Sequence, residues 1–333
     1  MSDAILLVSF GGPEGPEDVI PFLENVLRGR NVPRQRMLEV AEHYYHFGGR
    51  SPINDQNRRL VSELRALLAA QGPPLPVYWG NRNWHPLLPD TLAAMRADGI
   101  RRAFAFVTSA YSSYSGCRQY REDIALAQQQ SGTEDLEVLK LRVYYNHPGF
   151  IGPVIDAARA ALETIPARNR GNAVIRFTAH SVPLSMATTS RYVAQLEDAC
   201  RLVADALGRP DYRMVYQSRS GPPTQPWLEP DLLAELRALA AAGTRDVALI
   251  PIGFVSDHME VVYDLDTEAR RVCEDLGLNL VRAATPGADP RFVAMIRELA
   301  MERMGLLSTR RALGSLGPSH DVCPADCCPA PAR

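Results

Sequence analysis

A chain of 333 residues, 46% of them hydrophobic, can bury a large core and is long enough to divide into two domains. Its 36 basic residues stand against 38 acidic ones, and no dense Lys/Arg patch is interleaved with aromatics, which argues against nucleic acid or another polyanion as partner. The opening MSDAILLVSF enters an apolar run without a charged leader, and no apolar stretch approaches the roughly 20 residues of a membrane span, so a cytoplasmic protein without a transmembrane segment is expected.

Apolar runs predict strands at Ala4 to Phe10, Leu75 to Trp79, Ala103 to Ser109 and Val138 to Tyr144. A second set follows at Ala173 to Thr178, Tyr212 to Gln217, Val247 to Phe254 and Leu278 to Val281. Between them, Asn57 to Ala70, Pro153 to Ile165, Tyr192 to Leu207 and Leu232 to Ala241 carry helical periodicity. Such alternation predicts an α/β fold of two similar Rossmann-like domains, each with a four-stranded parallel sheet flanked by helices. The segments AILLVSFGGP at Ala4 to Pro13 and AVIRFTAHSVP at Ala173 to Pro183 open the two halves alike, and the polar stretch ARNRGN, Ala167 to Asn172, marks the entry to the second repeat. The expected domains are 1–150 and 151–306, followed by a cysteine-rich tail over 307–333. The turn SFGGP lacks the third glycine of the dinucleotide fingerprint, and no GxxxxGK[ST] loop occurs. Its glycines are expected to bring backbone close to a flat ligand or to the following helix.

The stretch Asp246 to Glu268, DVALIPIGFVSDHMEVVYDLDTE, runs from a buried strand into an acidic row. Glu260, Asp264 and Glu268 recur every fourth residue, which on an α-helix places them on one face. Taken alone, such a row is a solvated helix face. Ala173 to Ser181 is another apolar strand, and it ends in His180. Strand ends delivering His180 and Glu260 at the carboxyl edge of one sheet, where open α/β folds hold ligands, form a nitrogen-and-oxygen site suited to a borderline divalent metal such as ferrous iron. His258, two residues before Glu260, either orients that carboxylate or packs.

Several separate stretches, in order, resemble the ferrochelatase family over nearly the whole chain. They are LLVSFGGPEGPEDVIPFLENVLRGR, HFGGRSPIN, TSAYSSYSGCRQYRED, FTAHSVP, YQSRSGPPTQPWLEP and SDHMEVVYDLD. The resemblance implies two Rossmann-like domains enclosing a porphyrin cleft, and insertion of ferrous iron into a porphyrin during haem biosynthesis. It makes His180 and Glu260 the catalytic and iron-site residues. A neutral imidazole can take a pyrrole proton and touch the metal, Glu260 can hold iron, and Asp264 and Glu268 then read as a path for metal or protons. The family's motifs place Phe10, Tyr44, Tyr120, Trp227 and Phe254 against the porphyrin faces and Ser51, Arg28, Arg30 and Arg118 nearer its rim. Phe10 stands where many relatives from Gram-positive bacteria carry a tyrosine, so an axial oxygen is missing from that strand end. The short polar segment RGRNVPRQR stands where membrane-attached members have a longer apolar lip. This favours coproporphyrin III, giving Fe-coproporphyrin III, over protoporphyrin IX. A non-catalytic haem or iron–sulfur binding module and a cobalt or nickel chelatase are the other readings, and other haem-pathway enzymes are candidate partners.

Cys200 and Cys273 fall in helical patterns and read as buried apolar residues. The tail, ending DVCPADCCPAPAR, differs. Some ferrochelatases hold a [2Fe-2S] cluster on one internal and three C-terminal cysteines, and the resemblance gives Cys117, Cys323, Cys327 and Cys328 that role, with one of the adjacent pair a possible bystander. Four cysteines also suit zinc, and a disordered reduced tail is the remaining alternative.

Overall fold

Valine, leucine and isoleucine runs without alternation need cover on both faces, and the strands they form are the central strands of two sheets. The computed structural model describes residues 2–29, 32–221 and 224–330. The first sheet comprises β1 (Asp3–Ser9), β2 (Val77–Asn81), β3 (Arg102–Val107) and β4 (Glu137–Lys140); the second comprises β5 (Val174–His180), β6 (Tyr212–Gln217), β7 (Asp246–Ile250) and β8 (Asn279–Arg282). All pairs are parallel, in the orders β2-β1-β3-β4 and β6-β5-β7-β8. The same spatial order recurs, as the two similar openings suggest. At the edges β4 and β8 are only four residues long and partly exposed, which blunts them against pairing with other chains.

Two compact units result, and they interleave along the chain. One holds Met1–Thr108, Tyr120–Leu141 and Ile296–Leu306; the other holds Ser109–Gln119, Arg142–Met295 and Leu307–Arg333, so the tail belongs with the second sheet. In the first unit Leu6, Val8, Leu92 and Ala105 are sealed in one cluster, while Val19, Phe22 and Ala41 form another. In the second, Val247 and Leu249 pack with Leu236 and Leu265. A charge also sits in this second core. Arg176 on β5 is buried and donates from Nε to Glu235 Oε1 at 2.7 Å, and Arg213 reaches the other carboxylate oxygen at 3.1 Å.

The helices Tyr192–Leu207 and Leu232–Ala241 have the predicted bounds, because their ends carry chemical stops. Gly208 takes a left-handed φ of 64° after the first, and the Asp231 carboxylate accepts from Ala234 N at 3.0 Å to cap the second. The apolar run expected as one strand through Phe254 stops at Ile250. Pro251 follows without an N–H to donate, and Ile252 to Val255 continue as a buried loop whose Gly253 N–H is accepted by Thr178 O at 3.0 Å. In the glycine turn, a β-carbon on Gly12 would lie 2.7 Å from Ser51 Cβ and 2.8 Å from Ile53 Cγ2, so the turn seats its backbone against the start of the helix Ile53–Gln71.

The tail is tied down rather than disordered over its described part. Leu313 N donates to Asn146 O at 2.8 Å, Asn146 Nδ2 to Gly317 O at 2.9 Å, and Arg142 Nη2 to Arg311 O at 2.9 Å. A segment poor in apolar residues thus has polar backbone groups met by backbone and side-chain groups of its own unit. Among the described residues no helix is long and apolar enough to cross a membrane.

Candidate active site

His180 is the last residue of β5, and the parallel register sets it beside Gln217 at the end of β6. Its peptide oxygen accepts from the Tyr192 hydroxyl at 3.0 Å. Its ring Nδ1 lies within hydrogen-bond distance of Ser181 O. A carbonyl can only accept, so Nδ1 carries a proton and Nε2 is left to face Glu260, whose Oε1 is 3.2 Å away. Burial alone would lower the His180 pKa, but the charge and hydrogen bond of Glu260, with help from Ser181 O and Asp264, overcome it and raise the ring to about 9. Burial likewise works against ionised Glu260, yet His180 and His258 pull it down to about 2. With His180 raised and Glu260 lowered, the surroundings of the two groups favour the imidazolium–carboxylate form of the pair.

Glu260 lies in the first turn of the short helix Met259–Tyr263, where His258 is the N-cap. His258 Nδ1 accepts from Glu260 N at 3.2 Å, and its Nε2 lies 4.0 Å from Glu260 Oε2. Burial pushes the His258 pKa down, ahead of the opposing Glu260 charge, so the ring stays a neutral acceptor at Nδ1. His258 thus holds the Glu260 backbone while its ring also packs against Phe254.

The acidic row lies where the helix changes type. After Tyr263 the backbone widens into a π-helix, Asp264–Ala269, before returning to α at Arg270–Leu276. A π turn closes on the fifth residue, so a row spaced by fours still runs along one side of the helix while its angular offset changes. Asp264 Oδ2 accepts from the Ser218 hydroxyl and from Gln217 Nε2 at 3.2 Å, while Gln217 Nε2 also reaches Glu260 O. Burial raises the Asp264 carboxyl; the Ser218 hydrogen bond opposes, the charges of Glu260 and Glu268 add, and the result is about 7. Burial and then Asp231 raise Glu268 as well. The row remains an electrostatic chain. Sequence reasoning missed Gln217 and Ser218, whose signal was their place at the last residue of a predicted strand and directly after it.

The residues expected at a porphyrin fare unevenly. In the first unit Phe10 and Tyr44 pack edge-on to Phe22, at centroid distances of 6.2 and 5.7 Å, and remain half-buried. Arg82, another residue missed from sequence, lies over Phe10 at 5.7 Å and over Tyr120 at 4.4 Å and pairs with Asp123. Tyr120 is only 5% exposed, in the core under Arg82, and Ser51 is 3% exposed beneath Gly12, so neither side chain presents an open surface. Arg28 is exposed and donates to Asn25 Oδ1 at 2.5 Å. Arg30 lies outside the described residues. In the second unit Trp227 is half-buried against Gly221, where a β-carbon would come within 2.5 Å of its indole nitrogen. Phe254 is buried edge-on behind His258, with ring centroids 5.2 Å apart. Arg118, expected near the rim, instead donates to the tail carbonyls of Ala325 and Cys327 at 3.1 and 3.5 Å.

That contact brings the π-helix Tyr114–Arg118, with buried Cys117, onto the tail. On the tail, Cys327 Sγ lies 3.7 Å from Cys328 Sγ and 3.8 Å from His320 Nε2, and His320, Cys323 and Cys327 hold their ligand atoms within 4.8 Å of one another. None of the six cysteines is in a disulfide. Cys200 and Cys273 are buried in their helices, and burial pushes the Cys273 thiol up to about 11, as suits packing residues.

The chain is similar to known proteins. The family model for ferrochelatase matches residues 2–304. A ferrochelatase of Rhodopirellula baltica is 56% identical over 330 residues, covering 98% of this chain and 93% of that protein. The coproporphyrin III ferrochelatase of Streptomyces coelicolor is 53% identical over 350 residues, again 98% and 93% of the two chains. Among solved structures, SirB from Bacillus subtilis with Fe3+ superposes with a TM-score of 0.55 at 12% identity, covering 92% of this chain and 98% of SirB. CbiX, the terminal enzyme of siroheme biosynthesis in denitrifying bacteria, gives 0.50 at 14%, covering 92% and 100%. These two likenesses are of fold alone. On the family match and the extent of identity, this chain belongs to the ferrochelatase family.

Proposed function

We propose that the protein inserts ferrous iron into coproporphyrin III to give Fe-coproporphyrin III, with His180 and Glu260 handling protons and metal. The observation that carries the reading is the 3.2 Å approach of His180 Nε2 to Glu260 Oε1 at the carboxyl end of the second sheet. Insertion breaks two pyrrole N–H bonds, forms the iron–nitrogen bonds and releases two protons. At rest Glu260 holds the proton on His180. A ferrous ion engaging that carboxylate removes the counter-charge, so the imidazolium sheds its proton and Nε2 becomes an acceptor for a pyrrole proton. Asp264, with a pKa of about 7, exchanges protons readily at neutral pH, and Glu268 continues the path outward. His258 and Gln217 position Glu260 and Asp264.

Coproporphyrin III is supported by relatives such as the coproporphyrin III ferrochelatase of Streptomyces coelicolor and by the polar segment from Arg28 to Arg36. The half-buried aromatic residues Phe10 and Tyr44 are the first unit's candidate surface for a flat ring.

A [2Fe-2S] cluster on thiolates drawn from Cys117, Cys323, Cys327 and Cys328 belongs to the same proposal. Its support is the donor set, with Arg118 tying the segment that carries Cys117 to the cysteine loop. When bound, the cluster would add its binding free energy to folding. A cytoplasmic location and association with other haem-pathway enzymes complete the reading, and fractionation and pull-down from cells check them.

The test is anaerobic insertion of Fe(II) into coproporphyrin III and into protoporphyrin IX. The expected result is faster turnover with the first, loss of insertion in His180→Ala with porphyrin binding retained, and a fall of about 10²-fold or more in Glu260→Gln. Wild-type-like turnover in His180→Ala would sink the assigned chemistry. Faster turnover with protoporphyrin IX would overturn the substrate assignment alone.

A further inference from the structure

We infer that His320 is a metal ligand, so that the tail's centre is held by an imidazole together with the thiolates of Cys323 and Cys327. This rests on reading the tail as a metal centre. The cysteine pattern alone supplies four thiols and gives His320 no part.

The geometry gives it one. Around a single tetrahedral ion with metal–sulfur bonds of about 2.3 Å and metal–nitrogen bonds of about 2.0 Å, neighbouring donor atoms stand roughly 3.5–3.8 Å apart. His320 Nε2 is 3.8 Å from Cys327 Sγ, and with Cys323 Sγ the three donor atoms all fall within 4.8 Å of one another. A lone S–H to imidazole hydrogen bond accounts for one such approach but gives no reason for a third donor to join it.

The loop is also built to hold them. Arg310 donates to Ser319 O at 2.6 Å and pairs with Asp321 at 3.2 Å, fixing the residues on either side of His320. A turn closed by Cys327 N donating to Pro324 O at 3.1 Å returns the chain so that Cys323 and Cys327 face the same centre, and Arg118 secures that turn through Ala325 O and Cys327 O. A buried thiol, Cys328, with its Sγ 3.7 Å from Cys327 Sγ, is at hand for the remaining position. An imidazole in place of one thiolate leaves an iron–sulfur centre one unit less negative and raises its reduction potential, and a single histidine among cysteines equally suits zinc.

The experiment uses full-length protein purified anaerobically, as wild type, His320→Ala and His320→Cys, assayed for iron, zinc and acid-labile sulfide. His320 is exposed, so neither substitution threatens the core. If iron and sulfide are present in equal amounts, the reduced protein labelled with 15N-histidine is examined by pulsed electron paramagnetic resonance. A strongly coupled nitrogen that follows the isotope and disappears in His320→Ala, with a lower reduction potential in His320→Cys, is expected. A wild-type signal without that coupling overturns the assignment of His320 while leaving the cluster standing. If iron and sulfide are absent, the cluster reading fails on its own, and Co(II) is titrated into the metal-free protein. The assignment then requires thiolate charge-transfer bands and at least tenfold weaker Co(II) binding in His320→Ala. Equal binding by the two proteins, or none by the wild type, overturns it.

Discussion

Acid should weaken the second unit through one ring, that of His147. This residue is the N-cap of the helix Pro148–Glu163, and its Nδ1 accepts from Gly149 N at 3.0 Å, which puts the ring's proton on Nε2. It is 1% exposed, and burial, with the nearby charges of Arg142 and Arg311, lowers its pKa from 6.5 to about 3. Protonation would turn the accepting nitrogen into a donor facing another donor. Because the folded value lies below the unfolded one, the unfolded chain takes up the proton first as pH falls. The stability tied to the neutral ring is complete above about pH 6.5 and drains away between there and about pH 3, at about 1.4 kcal/mol per pH unit. Two units below the unfolded value the loss is about 2.7 kcal/mol. His147→Asn keeps a cap acceptor but does not titrate. Hydrogen exchange of the helix amides, measured for both proteins at pH 7.5 and pH 4.5 and corrected for intrinsic rates, reads the opening free energy locally, without assuming that both units unfold together. The variant should start less stable, since it fills the site less well, and gain on the wild type by about 2–3 kcal/mol at the lower pH. Parallel pH dependences would refute the argument, because acid effects elsewhere cancel in the comparison.

The buried ion pair of the second core makes a separate claim. Glu235→Leu strands Arg176 without its partner and should cost about 3–5 kcal/mol in denaturant unfolding, whereas adding Arg176→Met should recover most of it; a stable single variant would mean the pair holds nothing. In the first unit, Gly12→Ala drives a methyl to 2.7 Å from Ser51 Cβ and should lower stability by about 1–3 kcal/mol, with partial recovery on adding Ser51→Gly. An unchanged melting temperature for Gly12→Ala would show that the turn yields without cost.

What the sequence could say about the fold followed from how locally each feature is specified. The helix Leu232–Ala241 begins at a capping aspartate and Tyr192–Leu207 stops at a glycine, so both ends are written in adjacent residues. Strand ends are not. Ile252 is as apolar as Ile250 and fully buried like it, and only its place beyond the last ladder bond makes it loop. The same limit hid the partners of the site. Gln217 and Ser218 matter because β6 lies beside β5 in a register that pairs Gln217 with His180, a long-range fact that composition does not carry. His320 was passed over for the same reason, since two arginine contacts and a turn bring it to the cysteines.

The acidic row shows what a spacing pattern leaves unsaid about the backbone that carries it. Spacing by fours is a sound signal for one face of an α-helix, and Glu260 and Asp264 do start within reach of a common partner, Gln217. The chain then spends an extra residue on the π turn Asp264–Ala269. Apolar positions on both sides still reach the core, with Val261, Leu265, Ala269 and Cys273 all buried, so the apolar pattern reads as an uninterrupted α-helix. Those same four positions, each four apart, anchor the widened turn from beneath, while on its polar side Asp264 receives the Ser218 hydroxyl. A π turn gives poorer backbone geometry than an α turn, and it persists here because the packing below and the hydrogen bonds at Asp264 both favour it. The departure from regular helix therefore falls where a carboxyl has been raised to about 7 beside a carboxylate held at about 2, two neighbouring acids kept in different protonation states by their surroundings.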